Sequence, residues 1–266
     1  MSRTEFITAG NCEPVGELAP GVVVRALANG DKGARGLTTG IATLALGSLI
    51  PYHKHPTGEA ITVVSGEPEV LVQGRCYRLR RFDSIHVPAD VAHAVRNPSS
   101  GQPAVLHTAF PTATPVREFV DDAYPENACI ESRQDFPENL RHFESAKSYE
   151  AGEGTEARDL FAGRFGSRGV CGGHARFAPG AEIPCHAHDY DESITIVAGR
   201  AICRVADKEY RLANLDTACI PQNRPHRFLN LGDLPMEMIW VYAGDEPARR
   251  LVDLQDCECS TSVEAS

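Results

Sequence analysis

Short apolar runs, broken by Gly, Pro and Asn, recur along most of this chain, and they predict strands. Val22 to Leu27 reads as a strand, and Asn29-Gly30-Asp31-Lys32-Gly33 as the turn after it. Leu37 to Leu46 is a second β-prone run, and Ala60 to Val64 a third. Val70 to Gln73 and Cys76 to Leu79 flank a turn at Gly74, the pattern of a hairpin. Ser84 to Val87 leads into Pro88, and Ala104 to Phe110 closes the set; a similar rhythm resumes near Leu160 and runs to the strand Met236 to Tyr242. An all-β barrel or sandwich is the architecture this spacing predicts. Residues 1–20 read as an arm or edge strand ended by Pro20-Gly21, and Pro111, Pro115 and Pro125 open a connector. Within it Glu138 to Glu150 has the pattern of a short helix, and Ala151-Gly152-Glu153-Gly154 that of a joint or loop tip. The expected units are residues 1–115, a connector 116–155, residues 156–248 and a polar tail 249–266.

The two β-rich halves are copies. Gly47 to Gly66 reads GSLIPYHKHPTGEAITVVSG, and Gly180 to Gly199 reads GAEIPCHAHDYDESITIVAG, 133 positions later. At the same offset Tyr77-Arg78-Leu79 returns as Tyr210-Arg211-Leu212, and Asp83, Pro88, His93 and Asn97 return as Asp216, Pro221, His226 and Asn230. A gap-free repeat of this length marks an internal duplication.

The repeated stretch carries candidate chemistry. Residues two apart on a strand share a face, so His53 and His55 aim both imidazoles at one point. Pro56-Thr57-Gly58 turns the chain, Glu59 opens the next run, and His93 arrives on a later strand. His186, His188, Glu192 and His226 form the equivalent set. Three imidazoles and a carboxylate suit one divalent first-row metal per half; iron and manganese are favoured, and nickel, zinc and copper are alternatives because the Irving–Williams order makes selectivity contextual. One glutamate against a divalent cation leaves a charge of about +1 and open positions, which favours a small bidentate anionic or enolisable oxygen ligand.

These motifs resemble those of the cupins, and the whole chain resembles a two-domain bicupin. Residues 47–66 and 180–199 match the family's first motif, G-x5-H-x-H-x3-E-x6-G, throughout. Pro88, His93 and Asn97, like Pro221, His226 and Asn230, match the end of the second motif; Asp90 and Asn223 replace its glycine, and Phe82 and Leu215 its leading glycine. The resemblance implies an all-β chain of two tandem jelly-roll barrels, each with a metal in its mouth. It further implies a mononuclear metal oxygenase or dioxygenase, with a metal-dependent isomerase or decarboxylase of a small hydroxy/keto acid or sugar as the alternative, and a non-enzymatic metal- or small-ligand-binding protein as the third reading. Oxalate-decarboxylating bicupins would call for an arginine near the metal, whereas alternation along Ala201 to Val205 turns Arg204 outward. No residue is assigned as acid, base or nucleophile. Trp240 and Tyr242 share a strand face and are candidate pocket residues, and Asp189 and Asp191 add negative charge beside the second ligand set; both features favour the C-terminal site as the catalytic one. His86 and His107 read as packing or surface histidines, ahead of a supporting or acid/base role, and His142 as a surface one.

Composition narrows the partners. The 266 residues carry a formal net charge of −10, which argues against nucleic acid and anionic membranes. No apolar run nears the roughly 20 residues that span a bilayer. The start MSRTEFITAGNCEP lacks an apolar signal core, so the nine scattered cysteines are expected as reduced thiols in a cytoplasmic monomer or homodimer. Cys185 is expected to be a small packing residue, and Cys257-x-Cys259 is too isolated for a structural zinc site.

Overall fold

The structure, a computed structural model, describes residues 3–98, 101–121, 124–125 and 136–257. Apart from four short 3-10 turns, its regular structure is all strand, in four antiparallel sheets. Each half builds one barrel from a seven-stranded and a five-stranded sheet. In the first barrel the seven-stranded sheet centres on Glu59–Ser65, Ala104–Phe110 and Thr38–Leu44, and the five-stranded sheet on Leu49–Lys54, His93–Arg96 and Glu69–Val72. In the second, Glu192–Ala198, Met236–Tyr242 and Cys171–Phe177 face Glu182–Ala187, His226–Leu229 and Arg200–Val205.

The central strands are apolar on both faces because both faces are buried. Along Glu59–Ser65, Ile61 and Val63 point into the first barrel's core, while Ala60 and Val64 join a separate cluster with Leu160, Phe161, Ile239 and Val241 of the second half. The halves are therefore welded through the outer faces of their seven-stranded sheets.

They also exchange strands. Phe6–Thr8, near the start of the chain, pairs with Thr217–Cys219 of the second barrel. Reciprocally, Asn139–Arg141 pairs with Ser84–His86 of the first. Buried acids pin both strands: Glu5 accepts from the Tyr210 hydroxyl (2.8 Å) and Arg224 (2.9 Å), and Glu138 from the Tyr77 hydroxyl (2.5 Å) and Arg75 (2.6 Å). Glu5 and Glu138 are themselves 133 positions apart, so the duplication extends into the arm.

Here the structure departs from the sequence reading. The helix expected over Glu138 to Glu150 is instead the strand Asn139–Arg141, a 3-10 turn and the strand Ser148–Gly152. Its polar pattern reflects edge strands lying against the barrels rather than a helical face. Ala151 to Gly154 turns a hairpin into Thr155–Phe161. Part of the expected tail is structured too: Arg250–Leu251 pairs with His186 and Ala187, and Leu254–Cys257 forms a 3-10 turn. Cys185 and Cys257 are joined in a disulfide and Cys76 is disulfide-bonded too, so these three are not the reduced thiols expected; Cys129 and Cys259 lie outside the described residues. Asp90 and Asn223 take up positive φ (61° and 60°) in place of the motif glycine, as do Phe82 and Leu215 (66° and 70°) in place of its leading glycine. No helix among the described residues is long and apolar enough to cross a membrane.

Candidate metal centres

Each ligand set is assembled by strand register. His53 lies opposite His93 across the Leu49–Lys54/His93–Arg96 pair, and His186 opposite His226 in the second barrel. A bulge sits at the same place in both ladders, between Ile50 and His53 and between Ile183 and His186, and turns the imidazoles inward. Glu59 and Glu192 enter from the facing sheet. In each barrel the four candidate donor atoms lie within 4.8 Å of one another, and all eight residues are buried. Ligands opposite each other across metal bonds of about 2.2 Å would be roughly 4.4 Å apart, so the span suits one ion.

The hydrogen bonds fix which ring nitrogens face that point. Nδ1 of His53, His55 and His93 meets the backbone carbonyls of Pro51 (2.8 Å), Val116 (2.6 Å) and Val91 (2.9 Å). Nδ1 of His186, His188 and His226 meets those of Pro184 (2.7 Å), Ala248 (2.6 Å) and Arg224 (2.9 Å). A carbonyl only accepts, so each Nδ1 is the N–H, and Nε2 is the nitrogen left to offer a lone pair to a metal. Those lone pairs converge on a carboxylate: Nε2 of His55 and His93 lies 3.1 and 2.9 Å from Glu59, and Nε2 of His188 and His226 lies 3.1 and 2.8 Å from Glu192. Nε2 of His55 and His188 is buried with no hydrogen-bond partner. Acceptors aimed at acceptors need a cation between them, and a divalent metal fits this donor set.

The metal-free electrostatics divide the ligands: against burial, the charge and hydrogen bond of Glu192 raise His188 above its ordinary value. Burial lowers His53 to about 3, with the charges of His93 and Arg117 pushing the same way, and it holds His186 well below its ordinary value. Burial opposes ionisation of Glu59 and Glu192, but the facing imidazoles overcome it and keep both carboxyls well below the usual carboxylate range.

Trp240 and Tyr242 line a cavity of about 260 Å³ that opens on His186 and Glu192, with Tyr149 and Arg249 also in its wall. The counterpart beside His55, about 360 Å³, is lined by Thr108, Phe110, Arg25 and Arg117. The charge expected beside the second site is largely spent elsewhere. Asp191 is buried and accepts from Arg3, Arg35 N and Gln222 N, while Asp189 is exposed. Arg204 points away and bonds Glu209 (3.1 Å). His86 and His107 are buried outside both ligand sets, and partly exposed His142 meets Asp83 (3.2 Å). Asn97 and Asn230 each donate to three backbone carbonyls, which gives the motif asparagine a structural role.

Sequence reasoning missed the segment that crosses each mouth. Pro115-Val116-Arg117-Glu118-Phe119-Val120-Asp121 and Pro247-Ala248-Arg249-Arg250-Leu251-Val252-Asp253 are a second repeat, at an offset of 132 rather than 133. Each strap supplies the carbonyl that orients one histidine, pairs with the strand bearing another, and is tied by Val120 N to Tyr52 O or by Val252 N to Cys185 O. The one-residue slip, and the placing of one copy in a connector and the other in a tail, hid the match.

Two β-barrels with paired three-histidine, one-glutamate centres define a metal-binding bicupin, and the sequence comparison names the family. The cupin domain model matches residues 40–110 and 173–242, more than half of the chain, which therefore belongs to the cupins. No curated protein matches the sequence. Among solved structures, Lactobacillus farciminis oxalate decarboxylase in a formate complex is similar over 95% of this chain and 89% of that one (15% identity, TM-score 0.75). A Bacillus subtilis oxalate decarboxylase mutant is similar over 95% and 80% (16%, 0.74), as is a Bacillus subtilis oxalate decarboxylase studied for its Mn(II) centres (15%, 0.72). At such identity the likeness establishes the fold.

Proposed function

We propose that this bicupin is a metal-dependent decarboxylase of a small hydroxy or keto acid, with manganese as the working ion and the C-terminal centre as the catalytic one. The observation that carries this is the C-terminal cavity, which puts Arg249 and the Tyr242 phenol in one wall with two of the metal ligands, while the Tyr149 hydroxyl is taken by Asp159. Arg249, Tyr149 and Tyr242 share its wall with His186 and Glu192. Burial, and then the charge of Glu192, hold the Tyr242 phenol well above its ordinary value, so it stays protonated. A bound divalent ion would be held by His186, His188, Glu192 and His226 and would polarise a substrate oxygen. Around it Trp240 and Met238 exclude water, and Tyr242 is placed to return a proton. Decarboxylation breaks one C–C bond, releases CO2 and leaves an electron pair on carbon that takes up that proton. The fold shared with Mn(II)-containing oxalate decarboxylases supports this reading.

A dioxygenase is the second reading, favoured by the cavity's apolar floor of Ile183, Phe228, Met238 and Trp240, since oxygen chemistry needs little beyond metal and such a pocket. CO2 release and O2 uptake, followed together on Mn(II)-loaded protein with a panel of hydroxy and keto acids, diols and diketones, separate the two. CO2 without O2 consumption supports the decarboxylase; stoichiometric O2 uptake overturns it in favour of the dioxygenase.

A further inference from the structure

We propose that Arg117 and Arg249, carried by the two straps, are the carboxylate-recognising residues of their respective centres, and that the ligand is a small carboxylate held between guanidinium and metal.

Four observations converge on these two residues. They occupy the same place in the P-x-R-x-x-V-D repeat, which keeps arginine while the positions on either side of it change, Val116 to Ala248 and Glu118 to Arg250. Each follows directly after the residue whose carbonyl orients a ligand histidine, Val116 for His55 and Ala248 for His188, both at 2.6 Å. That bond fixes the arginine's backbone relative to the metal ligands. Each arginine also lines the cavity that contains a ligand of its own centre, His55 for Arg117 and His186 for Arg249. Finally, Arg117 Nε is buried with no hydrogen-bond partner, and no ion pair holds Arg117 among the described residues. Arg249 is steadied by a hydrogen bond from Nη2 to the Ala151 carbonyl, which leaves its other donors for a ligand.

A guanidinium matches a carboxylate in shape and charge; the pair is less screened by water at half-buried Arg117 than at Arg249, which is exposed at the cavity mouth. The strap thereby does two tasks: its carbonyl sets a metal ligand, and the next side chain selects an anion beside that metal. A chelator that binds as a neutral molecule, such as a diimine, would satisfy the metal and leave the arginine without a partner.

The inference rests on the reading of these sites as metal centres for small acids, and binding tests it apart from turnover. Mn(II)-loaded protein is titrated with malonate and, separately, with the neutral chelator 2,2′-bipyridine, by calorimetry and by the Mn(II) electron paramagnetic resonance line shape. In Arg117→Gln/Arg249→Gln, malonate affinity is expected to fall about 10- to 100-fold, the range for a lost charge-assisted contact, with bipyridine affinity and bound manganese unchanged. Arg117→Lys/Arg249→Lys, which keeps the charge, should recover part of the loss. Equal malonate affinity in wild type and the Gln variant, no malonate binding to wild type, or parallel loss of both probes would overturn the proposal. Binding that follows the arginines in a protein that decarboxylates none of the acids would overturn only the reaction assigned above.

Discussion

Replacing Glu192 by glutamine should have opposite consequences with and without metal. In the metal-free protein Nε2 of His188 and of His226 lies 3.1 and 2.8 Å from the Glu192 carboxylate. Neutral rings meet it acceptor to acceptor, so a glutamine amide of the same shape, donating an N–H to one of them, should leave metal-free stability unchanged or raise it by up to about 1 kcal/mol. Metal binding should suffer heavily. A four-ligand site binding with about 10–16 kcal/mol devotes roughly 3 kcal/mol to each ligand, or about a 100-fold change in affinity. Metal at about 100 times its Kd stabilises the wild-type site by about 2.7 kcal/mol; after a 100-fold loss the same concentration gives about 0.4 kcal/mol. The halves share a buried core and should melt together, so this centre's contribution to the metal-induced rise in Tm should shrink from about 5–10 °C to about 1 °C. Calorimetric melting of Glu192→Gln with Mn(II) and with chelator checks this. A variant that keeps the full Mn(II) shift, or one that fails to fold without metal, refutes the lone-pair argument.

Other parts of the fold make separate predictions. Burial lowers His107 to about 4 and His174 to about 3, so each stays neutral in the folded chain while the unfolded chain takes up a proton near pH 6.5. Their contribution is complete above that pH and is lost as pH falls, by about 2 kcal/mol each at pH 5; His174→Phe, beside Phe82 and Phe143, should reduce the loss between pH 7 and 5 by that amount in urea unfolding. Removing the disulfide with Cys257→Ser opens a link spanning 72 residues and should cost about 2–4 kcal/mol, with faster hydrogen exchange at Val252 N–H. Glu5→Ala releases the exchanged strand Phe6–Thr8 from Tyr210 and Arg224; a loss of about 1–2 kcal/mol and faster proteolysis near Arg3 are expected, and unchanged proteolysis would show that strand pairing alone suffices.

The ligands were legible because their spacing is dictated by strand geometry and turn length, and because the pattern occurs twice. His53, His55, Glu59 and His93 need only period-two alternation and one tight turn to converge, and the structure brings them together. Trp240 and Tyr242 share a strand face for the same reason and line the cavity beside His186 and Glu192. The cross-chain pairings were not. Phe6–Thr8 pairs with a strand that begins more than 200 residues later, and no local pattern encodes that. Asn139–Arg141 and Arg250–Leu251 are too short to show a strand period, so a helix and a tail were read where edge strands lie. Arg117 and Arg249 could have been found by allowing the repeat a single-residue slip.

The most direct test of two metal centres in one chain is the metal stoichiometry of the purified protein after Mn(II) loading and removal of free ion. Two tightly held ions per chain are expected for the wild type, one each for His53→Ala and His186→Ala, and none for the double variant, with folding checked by circular dichroism. One ion or none in folded wild-type protein, or two ions retained in either single variant, would contradict the account.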